Sequence, residues 1–514
     1  MKIVTAEDAA GLIQDGWTIC TSGIGMAGYP EAVIAALGRR FVADGSPRDL
    51  CLAYGSAQGD RATRGPTHLA REGLLKRIIC SHMGASRALG VLSYENKAET
   101  YIYPQGVMAH LYRAIAGGRP GVVTAVGLHT FLDPRHGGGK MNARTTEELV
   151  ELVTLGGREW LFYPSFPIHC AIVRGTTADT NGNVSVEHEM CFDDFLAIAQ
   201  AARNSGGIVI VQVKRLAAAG TLDPRLVRIP GILVDYVVVA KPEDHPQTTI
   251  DDYNPAYTGE IRAPDGAFTP LPLDVEKVVQ RRAFMELLRL ENPVVNLGVG
   301  MPMGVGDIAR EEGASGFTLT VETGPTGGTP SSKIFGPSIN PEAIVTHAEQ
   351  FDFYDGGGLD ISCVGFAQAD REGNVNVSMF GGRVGGVGGF TNITQTTPNV
   401  VFCGTFTAGA YEIGVGDGKL SIVKDGPIGK FVPAVEHLSF NARYIAGLGH
   451  NITYVTERAV FAMRDGRFTL IEVAPGIDVR KDVLDRIPFA PAVVDPLTTM
   501  EPRLFRDGPM GVVR

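Results

Sequence analysis

Apolar residues along this chain alternate between a helical and a strand-like spacing, with glycine-rich turns between the two. Residues 5–8, "TAED", have the form of a capping box, and Ala9, Leu12 and Ile13 then recur at helical intervals. "WTICTSG" follows as a strand that runs directly into the glycine loop of residues 21–30, "TSGIGMAGYP". Pro30 opens the next helix, "PEAVIAALGRRF", whose first turn is acidic. Further on, the helix-like "DDFLAIAQAARN" precedes the strand "GGIVIVQVKRL", and "NVVFCGTFTAG" supplies another β-branched and aromatic run. Alternating helices and strands predict an α/β fold of mostly parallel sheets covered by helices on both faces.

The pattern occurs twice. "DVEKVVQRRAFMELLRL", with Val275, Val278, Val279, Leu287 and Leu288 on one stripe, leads into "NPVVNLGVGMPMGVGDIAR", again a helix, a strand and a glycine loop. "ADTNGNVSV" (178–186) and "ADREGNVNV" (369–377) share the frame A-D-x-x-G-N-V-x-V, each a strand entered from a glycine turn. The first echo is displaced by 275 residues and the second by 191, so the first copy carries about 84 residues more between these points. "HTFLDPRHGGGKMNARTTEE" belongs among those extras. The segment 241–273, rich in Pro, Asp and Thr and without a sustained period, reads as a linker. The predicted organisation is a duplicated α/β domain, 1–240 and 274–514, with the linker between them.

Composition narrows the function. At 514 residues with 44% hydrophobic and 20% charged residues, the chain has ample apolar side chain for two sizeable cores. Glycine, at 65 residues, is nearly double its usual share of roughly 7%, which favours a site built from main chain. A net charge of −10 and the lack of any block of Lys and Arg leave no footprint for nucleic acid. Seven widely spaced cysteines without a C-x-x-C pair, and no signal-like or 18-residue apolar run, predict a cytoplasmic chain with no membrane segment. His169-Cys170 and His188-Glu189 with Cys191 match no standard zinc spacing, so no metal is expected.

Gly23, Gly25 and Gly28 have the G-x-G-x-x-G spacing of dinucleotide-binding loops, but Pro30 contradicts that geometry. A helix beginning inside the motif would carry Pro30 in its second turn, at a cost of ~3 kcal/mol. The second copy, "GVGMPMG", has Pro302 within the loop itself. What remains is a pair of loops whose main chain allows close approach to a ligand.

The stretch "FTLTVETGPTGGTP" (317–330) aims Glu322 from a strand end into a glycine turn. Together with "GIGMAGYP", "YPQG" (103–106), "GGIVIVQVKR" (206–215), "NLGVGMP" (296–302), "VETG" (321–324), "GGVGGFTNITQ" (385–395) and "VVFCGTFTAG" (400–409), it closely resembles the family I coenzyme A transferases, of the single-chain acetate or propionate type. The resemblance covers nearly the whole chain. It implies two similar open α/β domains with the active site in the cleft between them, in a homodimer or homotetramer. It implies acyl-CoA and short-chain carboxylates such as acetate as substrates, with coenzyme A as substrate and covalent intermediate and no tightly bound cofactor.

By the same resemblance Glu322 is the nucleophile, although Thr323 stands where the family usually has Ser or Asn. An unperturbed glutamate, with a pKa near 4.3, is ionised at neutral pH and needs no histidine as general base. Gly388 and Gly389 match the family's main-chain site for the oxyanion, and Gln105 matches its glutamine near the thioester, or is an ordinary loop residue. Gly25, Gly28, Gly298, Gly300 and Gly386 are expected to hold CoA, with a purely structural turn as the alternative for Gly298 and Gly300. A CoA-ester hydrolase, in which water takes the glutamyl thioester, and a non-catalytic CoA-binding protein are the alternative functions.

Overall fold

In the computed structural model, which describes residues 1–264, 269–331 and 334–513, two twisted sheets lie side by side. The eight-stranded sheet draws its strands from residues 2–239 and is parallel throughout. At its centre stand Tyr236–Val239, Ile208–Val213, Cys170–Arg174, Thr18–Thr21 and Leu50–Tyr54, in that order. The ten-stranded sheet repeats this core with Asn451–Val455, Asn399–Cys403, Ile361–Gly365, Val294–Leu297 and Thr318–Thr320, all parallel. The strands Thr18–Thr21 and Cys170–Arg174 are buried along their whole length, as parallel strands covered on both faces must be.

The second sequence echo has a clear physical cause. In "ADTNGNVSV", Asp179 Oδ1 accepts the N–H groups of Asn181 and Asn183, both at 2.9 Å, and Oδ2 accepts from Asn183 Nδ2 at 3.0 Å. In "ADREGNVNV", Asp370 makes the same three bonds to Glu372, Asn374 and the Asn374 amide, at 2.9, 3.0 and 3.2 Å. Gly182 and Gly373 supply the positive φ, 88° and 81°, that closes each turn. Each frame is thus a small antiparallel hairpin, with a strand on both sides of the turn.

The local predictions hold with small shifts. Thr5 and Asp8 form a reciprocal capping box on helix Ala6–Gly11. The helix after the first glycine loop runs Glu31–Asp44, so Pro30 stands one position ahead of it as the cap residue. The extra residues of the first half add a three-stranded antiparallel sheet, Gly121–Thr124, Arg158–Pro164 and Glu151–Leu155, and a loop that braces the second half. In that loop Phe131 N–H donates to Leu438 O at 2.8 Å and Gly127 N–H to Gln395 Oε1 at 2.8 Å. Within 241–273, His245, Gln247 and Thr248 are buried, while residues 265–268 of that segment lie outside the described residues. Among the described residues no helix is long and apolar enough to cross a membrane.

The halves meet through two helices, Gln105–Ala116 and His347–Asp355, which pack on one another. Their first residues, Gln105 and His347, touch across the junction.

Candidate active site

Strand Thr318–Thr320 ends in a tight reversal in which Gly324 N–H donates to Val321 O and Val321 N–H to Pro325 O, both at 2.9 Å. Gly324, at φ 119°, is obligatory, because a side chain there would strike Val345 O at 2.1 Å. The reversal carries Glu322, only 9% exposed, into the wall of a cavity of about 760 Å³. Gly389 forms the opposite face of the carboxylate: a β-carbon on Gly389 would stand 2.5 Å from Glu322 Oε2. Phe366, Phe380, Phe390, Val364 and Ile393 make most of the cavity apolar. Lys430, 4.2 Å from the Phe366 ring, is a cation in the same wall, its pKa lowered by burial to about 8.

Burial changes the chemistry expected of Glu322. The carboxyl is pushed up to about 7 by desolvation, with the His347 charge and the Gln105 amide pulling the other way. Neutral pH therefore does not leave it fully ionised, as an exposed glutamate would be. A histidine also stands in the network, in contact with Gln105. Gln105 Nε2 lies 2.9 Å from His347 Nε2, and His347 Nδ1 lies 2.8 Å from Asp194 Oδ2 and 3.6 Å from Asp193 Oδ1. Burial works against a charged His347, yet Asp194, Asp193 and Glu322 together hold its pKa up at about 9. Asp193 in turn is raised by burial and by the charge of Asp194, and it accepts the N–H of Gly23. Asp193, Asp194 and His347 offer three ligand atoms within 4.8 Å of one another, but both ring nitrogens already face protein partners, so they form a closed ion-pair cluster.

Of the residues singled out in the sequence, Gln105, Gly298, Glu322, Gly386, Gly388 and Gly389 all line this one cavity. Gly25, Gly28 and Gly300 lie outside its lining: Gly25 N–H bonds to Ala57 O, Gly28 packs on Gly23 and Phe195, and Gly300 is exposed before the turn Met301–Met303. The first glycine loop is therefore wired behind the cavity, through Gly23 to Asp193. Gly388 gives its own N–H to Ser81 O and accepts the N–H of Gln105 on its carbonyl, both at 2.9 Å, so its part is to place Gln105. Among the described residues no protein acceptor takes the Gly389 N–H. His169 Nδ1 accepts the Thr18 N–H and Glu189 pairs with Arg174, which absorbs both tempting zinc pairs into structure.

Sequence reading passed over Asp193, Asp194 and His347. Two signals for them existed. Thr346-His-x-Glu is a capping box that fixes a histidine at a helix start, and "DDFLAIAQ" is in frame with "GGFTNITQ" of the second copy.

A coenzyme A transferase family model matches residues 3–240. Over its full length the chain is similar to enzymes that carry the same chemistry in their names. It is 48% identical to a caffeate CoA-transferase of Acetobacterium woodii, with 98% of each chain covered. It is 42% identical to the acetate CoA-transferase YdiF of Escherichia coli K12, covering 100% of this chain and 97% of that one. The crystal structure of the acyl-CoA transferase YdiF apoenzyme from Escherichia coli O157:H7 matches with a TM-score of 0.94 at 40% identity, over 100% of this chain and 97% of its own. The same enzyme solved as a thioester complex with CoA matches at 0.93, with the same identity and coverage.

Proposed function

The chain belongs to the coenzyme A transferase family, and from that premise we propose that it moves CoA between a short-chain acyl-CoA and a free carboxylate through a thioester on Glu322. The observation that carries this reading is the buried Glu322 carboxylate, set against the bare Gly389 main chain in the wall of an apolar cavity. A nucleophile needs to be ionised and partly desolvated, and Glu322, with its pKa near 7, is desolvated and about half ionised at neutral pH, fully so a little above it.

The reaction balances without ATP or a redox partner. Glu322 attacks the acyl carbonyl carbon, the C–S bond breaks, and CoA thiolate leaves a mixed anhydride. The thiolate attacks the glutamyl carbonyl, forming the Glu322 thioester and releasing the first carboxylate. An incoming carboxylate then attacks that thioester, expelling thiolate, which takes the new acyl group and restores the Glu322 carboxylate. Each tetrahedral oxyanion calls for a fixed donor, and the unclaimed Gly389 N–H beside Glu322 fits that need; losing one such donor costs ~2.7 to 4 kcal/mol. Gln105, held by Gly388, contributes its amide on the other side.

Acetate is the partner by similarity to YdiF. A cavity of this size with Phe366, Phe380 and Phe390 in its walls also suits larger apolar acids, in keeping with the relative named for caffeate. Residues 1–240 and 274–514 are read as two halves that share one site, and the working form as a homodimer or homotetramer. The test is intact-protein mass after incubation with acetyl-CoA. A CoA-sized adduct on Glu322, cleared by hydroxylamine and absent from Glu322→Ala, is the expected result; active enzyme that never carries it overturns the mechanism. Running acetyl-CoA with and without propionate separates transfer from hydrolysis, since only transfer yields a new thioester, propionyl-CoA.

A further inference from the structure

We propose that Asp194 and His347, steadied by Asp193 and the Gly23 N–H, form a positioning relay that holds the Gln105 amide against Glu322 and sets the charge the nucleophile feels. The proposal rests on Glu322 as the nucleophile. Its geometry runs alternately through the two halves of the chain: Asp194 from the first, His347 from the second, Gln105 from the first, Glu322 from the second. The two ring contacts, 2.8 Å and 2.9 Å, leave the imidazole no freedom to turn. None of the four carboxylate and imidazole groups is more than 9% exposed, so water does not screen their charges.

His347 occupies the first position of helix His347–Asp355, where the helix dipole disfavours a cation. The two aspartates overcome that. A ring charged on both nitrogens donates from Nδ1 to Asp194 and from Nε2 to Gln105, and so requires the amide oxygen at the second contact. A half-turn of the side chain then directs the amide NH2 toward the Gly388–Gly389 wall on which Glu322 Oε2 lies. A neutral ring accepts the NH2 instead and withdraws it from that wall. His347 thus chooses which end of Gln105 the reacting groups meet, and among the described residues it is the cation that lowers the pKa of Glu322.

Of the other titratable groups, Lys430 and His82 line the same cavity as Glu322, lowered by burial to about 8 and about 4, so that Lys430 loses its own charge between the two limbs and His82 stays neutral. Further along the helix His110 pairs with Asp352, and Arg113 with Glu349 and Asp352. Asp355 is raised by burial to about 7 and accepts from Asn392. Behind the aspartates Cys20, Tyr112 and Cys191 are pushed up by burial and stay neutral, as does Tyr354 beside Glu322. Among the described residues His347 is therefore the cation whose charge lowers the pKa of Glu322.

The experiment is single-turnover formation of the Glu322 thioester, followed by intact mass between pH 5.5 and 10 in the full-length protein, with wild type, His347→Gln, Asp194→Asn and His110→Gln compared. Wild type is expected to give a bell with limbs near 7 and 9. His347→Gln keeps a hydrogen-bonding side chain but no cation, so its acid limb moves up by about 1–3 pH units and its alkaline limb vanishes. Asp194→Asn lowers the His347 pKa, so the alkaline limb moves down and the bell narrows. His110→Gln leaves both limbs in place. A purely structural role lowers the rate of the relay variants without moving a limb, and that result overturns the proposal. So does a wild-type profile without an alkaline limb, which needs no variant to be folded. Wild type that forms no Glu322 adduct at any pH overturns the nucleophile reading instead.

Discussion

The two halves place a carboxylate and a glycine at matching positions, and they place them the opposite way round. Leu52 pairs with Ile19 in the first sheet as Leu319 pairs with Val295 in the second, and three residues after each stand Gly55 and Glu322. Asp194 caps helix Phe195–Asn204 where Gly389 caps helix Phe390–Thr396. In the second half the carboxylate is on the strand-end loop and the glycine on the helix cap; in the first half they are exchanged. The contact survives the exchange: a β-carbon on Gly55 would stand 3.1 Å from Asp194 Oδ2, and one on Gly389 2.5 Å from Glu322 Oε2. What differs is the outlook of each acid. Glu322 faces the cavity, whereas Asp194 lies outside its lining and faces His347. One architecture thus occurs twice, and on the proposed mechanism the choice of side chain makes one half reactive and the other its electrostatic support.

Replacing the two acids probes this division most severely. Glu322→Gln is expected to lower kcat by at least about 10⁴-fold, since it removes the proposed nucleophile, while Asp194→Asn, which keeps the shape but not the charge, costs far less. Equal losses in an acyl-CoA exchange assay break the asymmetry. The glycines sharpen it next. Gly389→Ala drives a methyl group into the carboxylate and is expected to cost about 10²-fold in kcat, whereas the looser fit at Gly55 limits Gly55→Ala to less than about tenfold.

Stability gives a third, smaller contrast. Glu322 has a folded pKa of about 7 against 4.5 for an ordinary glutamate, so the folded state binds the proton more tightly. Its burial therefore costs nothing below pH 4.5, costs progressively more as pH rises to 7, and costs a constant amount above, roughly 3 kcal/mol at most. Glu322→Gln should raise the melting temperature at pH 8 relative to wild type, with the gain fading by pH 4.5. A gain that grows toward acid pH contradicts the shift. Smallest are the hairpin turns, where Asp179→Ala and Asp370→Ala each remove the same three turn hydrogen bonds and one longer bond, from Gly220 N–H and Val435 N–H respectively, and should lower stability by about 1–3 kcal/mol, read from denaturant midpoints. A large inequality between them means the turns, unlike the sites, diverged in their load.

Local order was legible from the residues alone. The capping box of Thr5 and Asp8, the two glycine loops, the paired A-D-x-x-G-N-V-x-V frames and the alternation of helix and strand follow from hydrogen bonds and torsions within about ten residues. These short-range features, with the family resemblance, were enough for the α/β class and the coenzyme A transferase family, and they pointed to Glu322 as the candidate nucleophile. The opening loop shows the limit. Its glycines do turn chemistry, at positive φ, but Gly25 and Gly28 lie outside the cavity lining, and the loop reaches the site through Gly23 and Asp193.

Long-range electrostatics belonged to the tertiary structure. A pKa depends on how much water a group loses and which charges stand within a few ångströms, and neither is written in the neighbouring residues. Asp194, His347, Gln105 and Glu322 are separated by up to 242 positions along the chain, and only the packing of helix Gln105–Ala116 on helix His347–Asp355 aligns them. The sequence determined that a carboxylate would stand at a strand end beside glycines. Folding decided that this carboxylate would be buried and opposed by a bare main chain, with a histidine from its own half held near it by an aspartate from the other.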